Sequence, residues 1–180
     1  MVDMGSLRKP VSRMRDDVWS QRGGRDAYTN KPRARIAEDE QNVDHVLEVQ
    51  LLEHAALDLL STNHELLNRF RDSVNSSPNL NVTARTVNQS KRGPFTAALN
   101  RLRKYDGGLR EISVEQLARA GRARWLVDEG VWANIERQVV VSFDALAADL
   151  SEARLTRAQT SLMDAAVENL NVVLSKLKIL

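Results

Sequence analysis

Toward the C-terminus Leu155, Leu162, Ala166, Leu170, Val173 and Leu177 recur every three to four residues, with Met163, Val167 and Leu174 widening the stripe. That spacing puts them on one face of a helix, and an apolar face of this length must be covered by other protein surface. The chain's own helices are one cover; a second copy, in a homodimer through the C-terminal helix, is the other. The preceding segment is helical as well. Ser113 is placed to cap a helix over 113–123 with Gln116 at the capping-box position, a further helical stretch surrounds Trp125–Phe143, and the last helix starts at Asp144. Trp125 and Trp132, seven residues apart, fall on one helical face and read as core. With 180 residues the chain can bury a core unaided, and the absence of Cys removes disulfide frameworks, thiolate metal sites and cysteine nucleophiles.

The middle of the chain alternates. Val43, Val46, Leu47, Val49, Leu51 and Leu52 predict a short strand or turn that passes directly into a helix carrying Ala55, Ala56, Leu59 and Leu60, with the pattern continuing through Leu66, Leu67 and Phe70. Residues 72–78 have loop composition, and Leu80, Val82 and Ala84 alternate as in a half-buried strand over 79–87. Residues 88–94 read as a turn, with Pro94 suited to the first turn of a helix over Phe95–Lys104 closed by Asp106-Gly107-Gly108. Three regions result: a basic, weakly structured N-terminal arm (1–35), a core (36–110) and a helical support region (111–180) in the same globular unit. The fold class is mainly α with a small two-stranded β-hairpin.

A net charge of +2 conceals an uneven distribution. Residues 1–37 sum to +5, residues 38–110 to −1 and residues 111–180 to −2. Within residues 85–110, Arg85, Lys91, Arg92, Arg101, Arg103, Lys104 and Arg110 face one acid, Asp106. Phosphate contacts from such a cluster give sequence-independent, salt-sensitive affinity for nucleic acid. Arg101, Arg103 and Lys104 taken alone are also the cations that complement a helix C-terminus.

His45, His54 and His64 are nine and ten residues apart, without the i+3 or i+4 spacing of a helical ligand pair, so a three-histidine zinc site is not expected. His45 differs because Asp44 precedes it at the end of a strand, where neighbouring side chains point to opposite sides. A carboxylate can then hold a cation while the imidazole faces a water. Glu48 follows as either a partner behind this pair or part of a solvated face. Downstream, Asn79 and Asn88 are nine residues apart, around a second strand and a helix start.

In Asp44-His45-Val46, Asn79 and Asn88 the sequence resembles the HNH endonucleases, the His-Me finger or ββα-metal family, over residues 43–102. The resemblance implies a ββα-metal core with an inserted helix, packed on the C-terminal helices. It implies Asp44 and Asn88 as ligands of one divalent cation, Mg²⁺ or Mn²⁺, with structural zinc not expected in a chain without Cys. His45 would be the general base and Asn79, or alternatively Asn81, the residue holding the loop behind it. The expected activity is metal-dependent hydrolysis of phosphodiester bonds, in DNA rather than RNA, with Arg85, Lys91, Arg92, Arg101, Arg103 and Lys104 on the nucleic acid. The alternative is a non-enzymatic helical protein that binds nucleic acid or assembles with other proteins.

No apolar run approaches the roughly 18 residues of a membrane span, and the first residues lack the apolar stretch of a secretory signal. The expectation is a protein without a membrane partner, cytoplasmic or nuclear if it acts inside a cell, or else a delivered toxin or effector.

Overall fold

A computed structural model describes residues 6–105 and 111–180, so the turn expected at Asp106-Gly107-Gly108 lies outside the described residues. The chain is mainly helical with one small antiparallel sheet. In order it forms α1 (Arg15–Gln21), β1 (Gln41–His45), α2 (Val49–Leu60), α3 (His64–Val74), β2 (Leu80–Ala84), α4 (Arg85–Lys104), α5 (Val114–Ala120), α6 (Arg124–Asp128), α7 (Val131–Ser151) and α8 (Arg157–Lys176). The two strands are not joined as a hairpin, because α2 and α3 lie between them. They pair antiparallel with Asn42 opposite Thr83, Val43 opposite Val82, Asp44 opposite Asn81 and His45 opposite Leu80.

The C-terminal stripe is covered from within. Met163, Ala166, Leu170, Val173 and Leu174 of α8 are buried, and α8 packs chiefly on α2, whose Leu51, Leu52, Ala55, Ala56 and Leu60 are buried in the same core. The face considered for a dimer is therefore filled by the chain itself. Thr156 starts α8 with a capping box: its hydroxyl accepts from Gln159 N, and its own N–H donates to Gln159 Oε1 at 2.9 Å. Ser113 caps α5 as the sequence suggests, accepting from Gln116 N at 3.1 Å.

Element boundaries differ from expectation at three places. Asn63 accepts from Leu66 N at 3.1 Å and opens α3 as a new helix, which breaks the run expected to continue from α2. Gly130, at φ +72°, separates α6 from α7, so Trp125 and Trp132 sit on different helices and α7 runs past Asp144 to Ser151. The third is α4, which begins at Arg85 and includes residues 88–94, expected to form a turn, with Pro94 inside it. Proline in a helix interior costs about 3 kcal/mol by removing one hydrogen bond and crowding the preceding turn. Here Val87, Lys91, Phe95, Ala98, Leu99 and Leu102 are all buried at helical spacing on the same side, and that burial offsets the loss.

Residues 6–35, expected to be an arm with little structure, are built into the molecule. Leu7, Val18, Trp19 and Tyr28 are each at most 2% exposed. The sheet explains why. Val43, Leu80 and Val82 project from one face and pack with Val11, Val18, Trp19 and Ile36 in a cluster separate from the main core. Without the N-terminal segment that face would be bare.

Candidate functional site

The opposite face of the sheet is polar and buried. Strand alternation and register put Asn42, Asp44, Asn81 and Thr83 on it together, and Asp44, Asn81 and Thr83 are 5% exposed or less. Buried polar groups require partners, and two segments supply them. From the loop after α1, Asp26 accepts through Oδ1 from Asn81 Nδ2 at 2.8 Å and Tyr28 N at 3.0 Å. Its Oδ2 accepts from Thr83 Oγ1 at 2.9 Å and Thr29 Oγ1 at 2.5 Å. From α4 come Asn88, whose amide donates to Asn42 Oδ1 at 2.5 Å, and Lys91.

Lys91 is fully buried. Its ammonium lies 2.6 Å from Asp44 Oδ2 and 3.2 Å from Glu48 Oε1, and donates to the carbonyls of His45 at 2.7 Å and Val46 at 3.2 Å. The Tyr28 hydroxyl donates to the same Asp44 oxygen at 2.8 Å, and the Tyr28 and Phe95 rings flank the ammonium at 5.4 and 5.9 Å. Burial alone would pull the Lys91 pKa down, but the two carboxylates outweigh it and raise it above the ordinary lysine value, which keeps the group charged. Burial, with the adjacent Asp44 charge, pushes Glu48 above the ordinary carboxylate value against the opposing pull of Lys91. Burial and then Asp44 raise Tyr28 well above its ordinary value, so the phenol stays protonated as a donor.

The expected roles can be placed on this geometry residue by residue. Asp44 and His45 do face opposite sides of β1. Asp44, however, is already neutralised by Lys91, a residue expected on nucleic acid, and the partner of Asn88 is Asn42 rather than Asp44. A divalent cation at Asp44 would sit against an ammonium, so the side chains as arranged do not fit the expected metal. Among the described residues no group of three or more His, Asp or Glu side chains is arranged to hold a metal ion.

His45 is 2% exposed. Its Nε2 lies 2.9 Å from Asn75 Oδ1, an acceptor that also takes Lys9 N–H, so Nε2 carries the proton and Nδ1 is the bare nitrogen, buried and without a hydrogen-bond partner among the described residues. Burial lowers the His45 pKa, partly offset by the Asn75 hydrogen bond. Asn79 fastens the loop beyond His45, accepting from Leu47 N and donating to Val74 O, each at 2.8 Å. The other Asn considered for that task, Asn81, belongs to the Asp26 cluster. Glu48 is buried against Lys91 rather than solvated.

The remaining cations lie elsewhere on α4. Arg85, Arg92, Arg101, Arg103 and Lys104 are exposed, and none forms an ion pair with an acid among the described residues. Arg85 donates to the Asp39 carbonyl, at 2.8 Å. At about 100° per residue, Arg85, Arg92 and Arg103 return to within roughly 20° of one line along the helix. No acidic residue occurs anywhere in α4.

Tyr28, Asp26 and Asn75 do not stand out in the sequence, because their roles come from contacts with residues 16 or more positions away in the chain. Lys91 had a signal: extending the helix back to Arg85 puts it in line with Val87, Phe95, Ala98 and Leu102, on an apolar face where a lysine needs an acid. Comparison of the chain with family models, with curated proteins and with solved structures finds no match.

Proposed function

We propose that the protein binds nucleic acid, DNA in the first instance, through the outward face of α4 and without cleaving it. The observation that carries this is the set of five exposed, acid-free cations on one helix of 20 residues, three of them in a single line. They offer phosphate contacts and no base-reading pattern, so the binding is sequence-tolerant and electrostatic. Three to five such contacts give a slope of about −3 to −4.5 in log K against log salt. Fluorescence anisotropy with a labelled duplex across a KCl series, in EDTA, tests it. Arg92→Gln with Arg103→Gln should reduce the slope by about two. An unchanged slope, or no binding at low salt, refutes the proposal.

Hydrolysis of the HNH type is a second reading, favoured by one observation. Two strands pair antiparallel and the second leads directly into a helix, with Asp44 and His45 at the end of the first strand and Asn88 in the first turn of that helix. It would require Lys91 to release Asp44 and water to reach His45. Plasmid incubated with Mg²⁺ or Mn²⁺ decides: nicking that disappears in His45→Ala supports it, and intact plasmid refutes it.

A further inference from the structure

A polar cleft of about 490 Å³, whose lining does not include Lys91, lies between the loop after α1 and one side of α7. Arg22, Arg25, Asp26 and Asn30 line it from the loop, and Asn134, Arg137 and Gln138 from the helix, where spacings of three and four put them on one face. Asn134 ties the two walls together by donating to the Tyr28 carbonyl at 2.8 Å.

The cleft has an unbalanced charge. Arg22 is half-buried, and every hydrogen bond it makes goes to a neutral oxygen: the carbonyls of Leu80 and Pro78 and the side-chain oxygen of Gln138. Arg25 donates to the Asn30 carbonyl, and Arg137 to Asn134 Oδ1. None of the three has a carboxylate partner among the described residues. The one acid in the lining, Asp26, already accepts four hydrogen bonds from neutral donors. Counting it in full still leaves the cleft at +2.

We propose that this cleft binds a phosphate monoester, held by the guanidinium groups of Arg22, Arg25 and Arg137. A monoester carries close to two negative charges at neutral pH and three acceptor oxygens, which matches the excess charge, whereas a carboxylate would leave half of it. Guanidinium groups suit phosphate oxygens in geometry as well. The volume falls in the range of small-molecule sites, so the phosphate is carried on a larger group, with the side chains of Asn30 and Gln138 available to its polar edges. A mononucleotide and the 5′-phosphorylated end of a nucleic-acid strand present the same chemistry.

The test is titration calorimetry at fixed ionic strength with AMP, adenosine and inorganic phosphate, and competition against AMP by a short oligonucleotide with and without a 5′-phosphate. AMP should bind saturably and adenosine should not. Arg25→Gln with Arg137→Gln should weaken AMP by about tenfold or more, with an unliganded thermal midpoint close to that of the parent protein. Competition by the phosphorylated oligonucleotide alone identifies a strand end as the source, and no competition by either identifies the free nucleotide. Equal responses to AMP and adenosine, or AMP affinity unchanged by the double substitution, overturn the proposal. AMP is measured without DNA, so failure of duplex binding through α4 leaves this result standing, and the converse holds.

Discussion

A single lysine on the inner side of α4 decides how the carboxylates of Asp44, in β1, and Glu48, just beyond it, can be used. Asp44 is 5% exposed and Glu48 6%, and removing the ammonium that pairs with both leaves buried negative charge uncompensated. Lys91→Met should therefore lower the unfolding free energy by about 3–5 kcal/mol in urea titrations, and adding Asp44→Asn should recover part of it. Full stability in the single variant would contradict the ion pair. His45 provides a separate pH test. Its folded-state pKa lies below the ordinary 6.5, so the unfolded chain takes up the proton first, and the His45 contribution is present above pH 6.5 and lost as pH falls below it. Glu48 acts in the opposite sense, because its raised pKa gives a contribution complete below the ordinary carboxylate value and lost as pH rises through the folded one. Stability measured between pH 7 and 5 should then decline less steeply in His45→Gln than in the parent, while Glu48→Gln should gain on the parent as pH rises. Parallel curves for His45→Gln and the parent would show that the imidazole is not buried neutral.

At the scale of elements, legibility followed periodicity. The helix α8 could be read because Leu162 to Leu177 repeat at helical spacing and nothing interrupts them, and the cap at Ser113 is local chemistry; the Asn63 cap was hidden because the apolar pattern runs across it from Leu60 to Leu66. What covers α8 could not be read, since α2 lies about a hundred residues earlier and its apolar face has no mark that pairs it with one partner. Gly93-Pro94 misplaced the start of α4, because turn-forming residues carry a strong local signal that buried contacts overrode. The candidate site was hidden by the same error: once Lys91 is assigned to a turn it becomes a surface cation. The location of Leu170 makes the distinction testable. It is fully buried beneath α2, where a leucine contributes about 1.5–3 kcal/mol and a carboxylate would lack a partner. Leu170→Asp should lose cooperative folding at any protein concentration. A folded monomer derived from a parental dimer would instead place this leucine at a seam between copies.

For the molecule as a whole, the N-terminal segment is the part whose composition is most misleading. Its Gly, Pro and Arg content resembles that of a solvated arm, and two of its arginines do form exposed pairs, Arg15 with Glu38 and Arg33 with Asp16, of a kind worth about 0–1 kcal/mol each. Its few large residues matter more. Val18 and Trp19 cover the apolar face of the sheet, while Asp26 and Tyr28 satisfy the polar face from the other side. The segment thus clasps both faces of a two-strand sheet that is too small to be stable alone. A chain starting at Ile36 would expose Leu80 and Val82 and leave Asn81 and Thr83 without the Asp26 carboxylate. Each buried polar group so orphaned costs about 1–3 kcal/mol, a loss that two such groups and the bared apolar face bring close to the roughly 5–15 kcal/mol that holds a typical domain together. The truncated chain should show no cooperative thermal transition and weakened near-ultraviolet circular dichroism, whereas an arm with no structural role would leave the midpoint of residues 36–180 where the full chain has it. Limited proteolysis separates the two cases independently, since arginines of a loose arm are cut first and those of a clasp survive with the core.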